Sequence, residues 1–103
     1  IYATNLPMTQ AVIRVLKEKK LQGKVKVIGC GSMIPDDIRR ALANDILHGW
    51  VSQEPLQSAQ KAVDIASDIF RGKTPPSVVA VSPYLAITKD NLTDPRVQKL
   101  LQN

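Results

Sequence analysis

The sequence predicts an α/β fold: a mostly parallel sheet with helices on both faces, in the Rossmann or flavodoxin manner. Short apolar runs alternate with segments whose apolar residues recur at helical spacing, in the order βαβαβα. The connections between them are short, and that order then implies parallel strands joined by helices that pack on the sheet. A length of 103 residues, 44% hydrophobic and 22% charged, suits one lobe of ordinary composition.

Ile1 to Thr4 reads as the first strand, and Asn5, Leu6 and Pro7 as a turn and helix start. Met8, Val12, Val15 and Leu16 recur at helical spacing, with lysines in the last turn suiting the macrodipole and Gly23 ending the helix. Val25, Val27 and Ile28 make the second strand, followed by a Gly29-Cys30-Gly31-Ser32 turn. Pro35, Asp36 and Asp37 open the next helix, because proline fits a first turn and carboxylates face its unpaired amides. Ile38, Ala41 and Leu42 are its buried stripe.

Leu47 to Ser52 reads as a third strand, and Gln53-Glu54-Pro55 breaks it. Ala59, Ala62, Val63, Ala66, Ile69 and Phe70 form the cleanest helical stripe in the chain, closed by Arg71 and Gly72. Val78, Val79 and Val81 start a fourth apolar segment, interrupted at Pro83 and resumed from Tyr84 to Thr88, which predicts a bent strand or a crossing between two sheets. Asp94 and Pro95 cap a final helix carrying Val97, Leu100 and Leu101.

The net charge of +5 is dispersed over helix ends at Lys17, Lys19, Lys20, Arg39, Arg40, Arg71 and Lys73. It is not gathered into a stripe, so a solvated surface is expected and no nucleic-acid partner. One cysteine and one histidine allow neither an internal disulfide nor an ordinary zinc site, and no cofactor is implied. No apolar run approaches bilayer length and no signal peptide is visible; the abrupt apolar opening is that expected of a fragment or processed product.

Gly29 and Gly31 after a strand suggest a dinucleotide fingerprint, but Ile34 stands where a third small residue is needed, so a tight loop permitting positive φ is the plainer reading. Cys30 and His48 could supply a nucleophile and base, yet no third group orients them, and a cysteine ending a strand behaves as a small hydrophobe. No catalytic residue is therefore assigned. Asp36 and Asp37 are explained as helix-start charges rather than metal ligands. Trp50 lies on the same strand face as Ser52; it could stack on a ligand or be buried against a helix, and burial is the simpler reading. Asn5 and Gln53 are two-way amides placed just past apolar strands, where each could bind a small polar ligand or merely cap a turn or strand end. Their position matters because ligands of open α/β sheets bind beyond the carboxyl ends of strands.

The segments IYATNLPMTQAVIRVLKEKK, KVKVIGCGSMIPDDIRRAL, ILHGWVSQEPLQSAQKAVDIASDIFRGK and VVAVSPYLAITKDNL resemble the C-terminal portion of periplasmic sugar-binding proteins of the ribose-binding type. WVSQEPLQSA and LAITKDN carry the resemblance most specifically. It implies a non-enzymatic, periplasmic solute-binding protein of two lobes, which closes on a sugar-like solute and presents it to an ABC permease or a membrane sensor. Under it, Asn5 matches an asparagine that hydrogen-bonds sugar hydroxyls, and Gln53 a glutamine with the same role at the hinge. Gly31 and Ser32 fall at the same ligand edge.

Two departures qualify the match. Where the sugar-binding members carry an aromatic residue and then an aspartate, this chain has Cys30 and Gly31. The charge-assisted bonds of that carboxylate are thereby lost, and Ser32 offers a single neutral one. The resemblance also implies that the Gln57 to Phe70 helix belongs to a lobe outside this sequence. Its apolar stripe is then expected either to refold onto this lobe's own sheet or to be buried against another chain, including by self-association.

Overall fold

The computed structural model of the chain describes residues 1–53, 55–79 and 84–101. Its elements run α1 (Leu6–Glu18), β1 (Ile28–Gly31), α2 (Asp36–Ala43), β2 (Gly49–Ser52), α3 (Pro55–Phe70), β3 (Leu85–Ile87), a 3-10 turn (Lys89–Asn91) and α4 (Pro95–Leu101). They fall into two compact units, one of Ile1–Gln53 with Leu85–Asn103 and one of Glu54–Tyr84.

The first unit is a mixed, mostly parallel α/β sheet in the order β1-β2-β3. β1 and β2 run parallel with Ile28 opposite Gly49 and Gly31 opposite Ser52, and β2 and β3 run antiparallel with Trp50 opposite Ile87. The expected first strand is reduced to a parallel bridge between Tyr2 and Ile28, held by Ala3 N–H to Ile28 C=O at 2.8 Å and Ile28 N–H to Ile1 C=O at 2.9 Å.

β1 begins at Ile28, so Gly29, Cys30 and Gly31 are strand residues and not the expected turn. Positive φ is not their reason: among the described glycines it occurs at Gly23 (73°) and Gly72 (82°). Close approach is. A Cβ on Gly29 would stand 2.6 Å from Thr9 Cγ2 and 2.8 Å from Trp50 Cε3, and one on Gly31 would stand 2.7 Å from Trp50 Cζ2. The two glycines thus clear a bed for the indole.

That sheet face carries the core. Trp50 and Ile87 meet Ile13 and Leu16 of α1, Ile38 and Leu42 of α2 and Val97 of α4 in one buried cluster. Alternation along a strand sends Ile28, Cys30 and Val51 to the other face, where Ile28 keeps 45% exposure.

The buried stripe of α1 is Thr9, Ile13 and Leu16; of the expected Met8, Val12, Val15 and Leu16, Leu16 is buried and Val12 half-buried, while Met8 and Val15 are exposed. A threonine can occupy a fully buried position here because its Oγ1–H donates to Asn5 C=O at 2.8 Å, leaving the methyl to pack on Gly29. The helix ends at Glu18, before Gly23, because Lys20 takes positive φ (54°) and Leu21 N–H turns back to Leu16 C=O at 2.8 Å. Only Lys17 remains as a basic residue in its last turn.

α2 follows expectation: Asp36 and Asp37 lie in its first turn and Ile38, Ala41 and Leu42 are buried. α4 is capped by Asp94, whose Oδ1 accepts from Arg96 N–H at 2.8 Å.

The fourth apolar segment is corrected in part. Val78 and Val79 are exposed and outside any strand, while Val81 and Pro83, like Glu54 before α3, lie outside the described residues. β3 pairs antiparallel to β2, so the strand returns along the sheet instead of extending a wholly parallel one. Asn91 secures the turn after it, accepting from Thr88 N–H at 2.8 Å and donating to Ala86 C=O at 2.9 Å.

In the second unit, α3 spans Pro55–Phe70 and closes as expected, with Gly72 N–H bonding Ile69 C=O at 2.9 Å. None of its residues is buried; Val63 is 63% and Phe70 94% exposed.

Candidate functional site

Three backbone segments running the same way end at one rim. Parallel bonding sets the segment of Tyr2 beside β1 and β1 beside β2, so Asn5, Gly31 with Ser32, and Gln53 follow the carboxyl ends of neighbouring segments. Gln53 N–H donates to Gly31 C=O at 2.8 Å, which ties two of these ends directly. Leu6, next to Asn5, brings its Cβ within 3.6 Å of the Gly31 Cβ position, which adds the start of α1.

Asn5 is the N-cap of α1: its Oδ1 accepts from Met8 N–H at 2.9 Å, and its backbone is extended, with φ −157°. One end of the amide is thereby engaged by the helix, and the Nδ2 end has no partner among the described residues. Gln53 and Ser32 are exposed, and their side chains have no hydrogen-bond partner among the described residues. The rim therefore offers amide and hydroxyl groups to solvent, and no carboxylate at Gly31.

Trp50 lies beneath this rim and is fully buried, at 0% exposure, in the core cluster with residues of α1, α2 and α4, so it presents no stacking face. Its Nε1–H is the one buried side-chain polar group among the described residues with no partner. A sequence-level signal for its role existed in the alternation Gly29-Cys30-Gly31 opposite a strand tryptophan, but the register that unites them is a tertiary fact.

The other candidates are accounted for elsewhere. Cys30 is buried on the opposite face of β1. His48 is held by the neighbouring backbone: Val27 N–H donates to its Nδ1 at 3.3 Å, while the His48 backbone N–H donates to Val27 C=O at 2.8 Å. Burial lowers the imidazole pKa below its ordinary value, helped by the charge of Lys26 and opposed by Asp45. A bond from Lys89 holds the Asp45 carboxyl below the usual range. Asp36 pairs with Arg39 at 2.8 Å and Asp37 Oδ2 accepts from Gln10 Nε2 at 2.9 Å. Among the described residues no group of three or more His, Cys, Asp or Glu gathers, and no helix is long and apolar enough to cross a membrane.

No protein-family model matches the chain, and no curated protein matches it by sequence. Solved structures do. A carbohydrate transporter solute-binding protein from Agrobacterium radiobacter, solved with D-arabinose, is 31% identical with a TM-score of 0.76, over 97% of this chain and 33% of that one. A glucose-galactose binding protein from Geobacillus stearothermophilus is 28% identical with a TM-score of 0.75, over 88% of this chain and 31% of that one. An ABC transporter solute-binding protein from Agrobacterium vitis, bound to α-D-tagatopyranose, shares the fold at 20% identity and a TM-score of 0.78, over 97% and 34%. The chain thus spans about a third of the length of the solved proteins it matches.

Proposed function

We propose, for a chain that has the fold of ABC-transporter sugar-binding proteins and matches them as a fragment would, that it is the C-terminal portion of a periplasmic solute-binding protein. In this reading it binds a sugar-like solute without chemistry, in a cleft between two lobes, and hands it to an ABC permease. Asn5, Gly31, Ser32 and Gln53 form this portion's share of the cleft. The observation that carries the reading is the level register of β1 and β2, with Gln53 bonded to Gly31 at 2.8 Å, which sets amide-bearing segments at the carboxyl edge of a parallel sheet.

The division at Gln53 and Leu85 supports a related assignment, that α3 belongs to the other lobe of the full-length protein and that its chain crosses twice between lobes. Gly31 supports a narrower choice of solute: without a carboxylate there, adjacent hydroxyls meet neutral donors and acceptors only.

Calorimetry on the full-length protein with a panel of pentoses, hexoses and their derivatives tests the reading. Saturable binding that is weakened by Gln53→Ala supports it; the absence of heat with every sugar, or binding indifferent to Asn5 and Gln53, rejects the assigned edge. A second reading, that the same lobe passes a ligand signal to a membrane sensor, shares this site and differs only in the partner.

A further inference from the structure

The orphaned Nε1–H of Trp50 has a direction. A buried donor without an acceptor is costly, so few persist in folded proteins. The indole lies along β1, with Cε3 beneath Gly29 and Cζ2 beneath Gly31, 2.8 and 2.7 Å from where their Cβ atoms would stand. In an indole, Nε1 is bonded to the carbon next to Cζ2, on the side away from Cε3. The N–H therefore faces the way β1 runs, toward the edge where Asn5, Gly31, Ser32 and Gln53 follow the strand ends.

The rest of that edge is also weighted toward donors. Asn5 Oδ1 is taken up by the α1 cap, so its amide offers the edge only the Nδ2 protons. The amino end of the 13-residue α1, which favours negative charge, reaches Gly31 through Leu6, whose Cβ is 3.6 Å from the Gly31 Cβ position. Asp36 and Asp37, the carboxylates that follow β1, are turned to Arg39 and Gln10. Ser32 and Gln53 can donate or accept and so shift the balance neither way.

We propose that this edge selects a sugar acid, with Trp50 and Asn5 as the residues that hold its carboxylate at the Gly31 end. The indole is fully buried, so its bond passes through one bridging water. A water that accepts from Nε1–H keeps both of its own protons to donate, and the polarity of the indole is carried outward unchanged. A carboxylate only accepts, and its bonds are charge-assisted, roughly twice as strong as neutral ones. A hydroxyl in its place would bring a proton that needs an acceptor of its own. Gly31 serves the site by admitting the indole and bringing no like charge. The proposal rests on the reading of this edge as a solute site and narrows the solute.

The test is calorimetry of the full-length protein with D-galacturonate and D-glucuronate against D-galactose and D-glucose, each pair differing in a carboxylate. The Trp50 indole ¹H–¹⁵N resonance, assigned by its loss in Trp50→Phe, is followed in the same titrations. The acids are expected to bind about tenfold more tightly or better and to shift that resonance. Trp50→Phe and Asn5→Ser should each reduce the ratio of acid to neutral affinity, a readout that a loss of stability alone does not move. Asn5→Ser keeps the helix cap and gives this readout even where Trp50→Phe fails to fold. Gly31→Asp with Trp50→Leu, which makes room for a carboxylate on the protein, should turn the preference to the neutral sugars. Neutral sugars binding as tightly as the acids, with affinity lost in Gln53→Ala, would overturn the acid and leave the solute site standing. An acid preference untouched by both Trp50→Phe and Asn5→Ser would overturn the role of these residues. The absence of heat with all four would remove the solute site, and the proposal with it.

Discussion

Trp50 Cζ2 lies 2.7 Å from the point where a Cβ on Gly31 would stand, a distance at which no side chain can be added unless the indole moves. The absence of a carboxylate at this edge is thus built into the packing beneath it: glycine and tryptophan occupy, as a pair, the space that a side chain and a smaller strand residue would share.

Gly31→Ala should destabilise the chain by about 1–3 kcal/mol, the usual penalty of overpacking. Trp50→Leu opens a cavity and should cost about 2–4 kcal/mol alone. The double variant should be more stable than the sum of the two losses predicts, because the smaller residue makes room for the new methyl. Urea unfolding of the four proteins measures this; strict additivity would show that the two residues are not coupled.

Asn5 has a structural duty that must be separated from any role with ligand. Asn5→Ala removes the cap bond to Met8 N–H and should lower stability by about 1 kcal/mol, whereas Asn5→Ser keeps a capping oxygen and should be nearly neutral. If the Nδ2 amide contacts the solute, Asn5→Ser in the full-length protein loses affinity while its melting temperature holds. Gln53→Ala should leave stability unchanged, since its backbone bond to Gly31 survives the substitution.

His48 predicts an acid dependence. Its folded pKa is depressed below the ordinary 6.5 by burial, so the unfolded chain takes up the proton first as pH falls. The stabilisation is complete above about pH 6.5 and is lost as pH descends toward the lower folded pKa, when Nδ1 protonates and can no longer accept from Val27 N–H. His48→Gln should flatten the fall in stability below about pH 6.5. Asp45 and Asp94, also depressed, act in the more acidic range and should leave that window unaltered.

The exposed stripe of α3 predicts self-association of the isolated chain. Sedimentation should find species heavier than 11.3 kDa, and Val63→Lys with Phe70→Lys should return the chain to monomer without loss of helix content. A wild-type chain that stays monomeric at high concentration would contradict this.

Much of the architecture was legible in the residues. Pro35-Asp36-Asp37 and Asp94-Pro95 announce helices because their chemistry is local, and the stripes of α2 and α3 follow from periodicity. The candidate edge was legible for a related reason: a polar amide directly after an apolar strand lies at its carboxyl end in any parallel sheet. Thr9 was missed because its burial depends on a hydrogen bond to Asn5 and a glycine across the interface.

The order and type of the helices were determined by the sequence alone, since they rest on contacts within a turn or two of chain. Tertiary structure decided the rest. The glycines of β1 became strand because Trp50 needs flat backbone beneath it, β3 turned back because the free edge of β2 can be paired from either direction, and α3 stayed uncovered because periodicity specifies an apolar face but not what meets it.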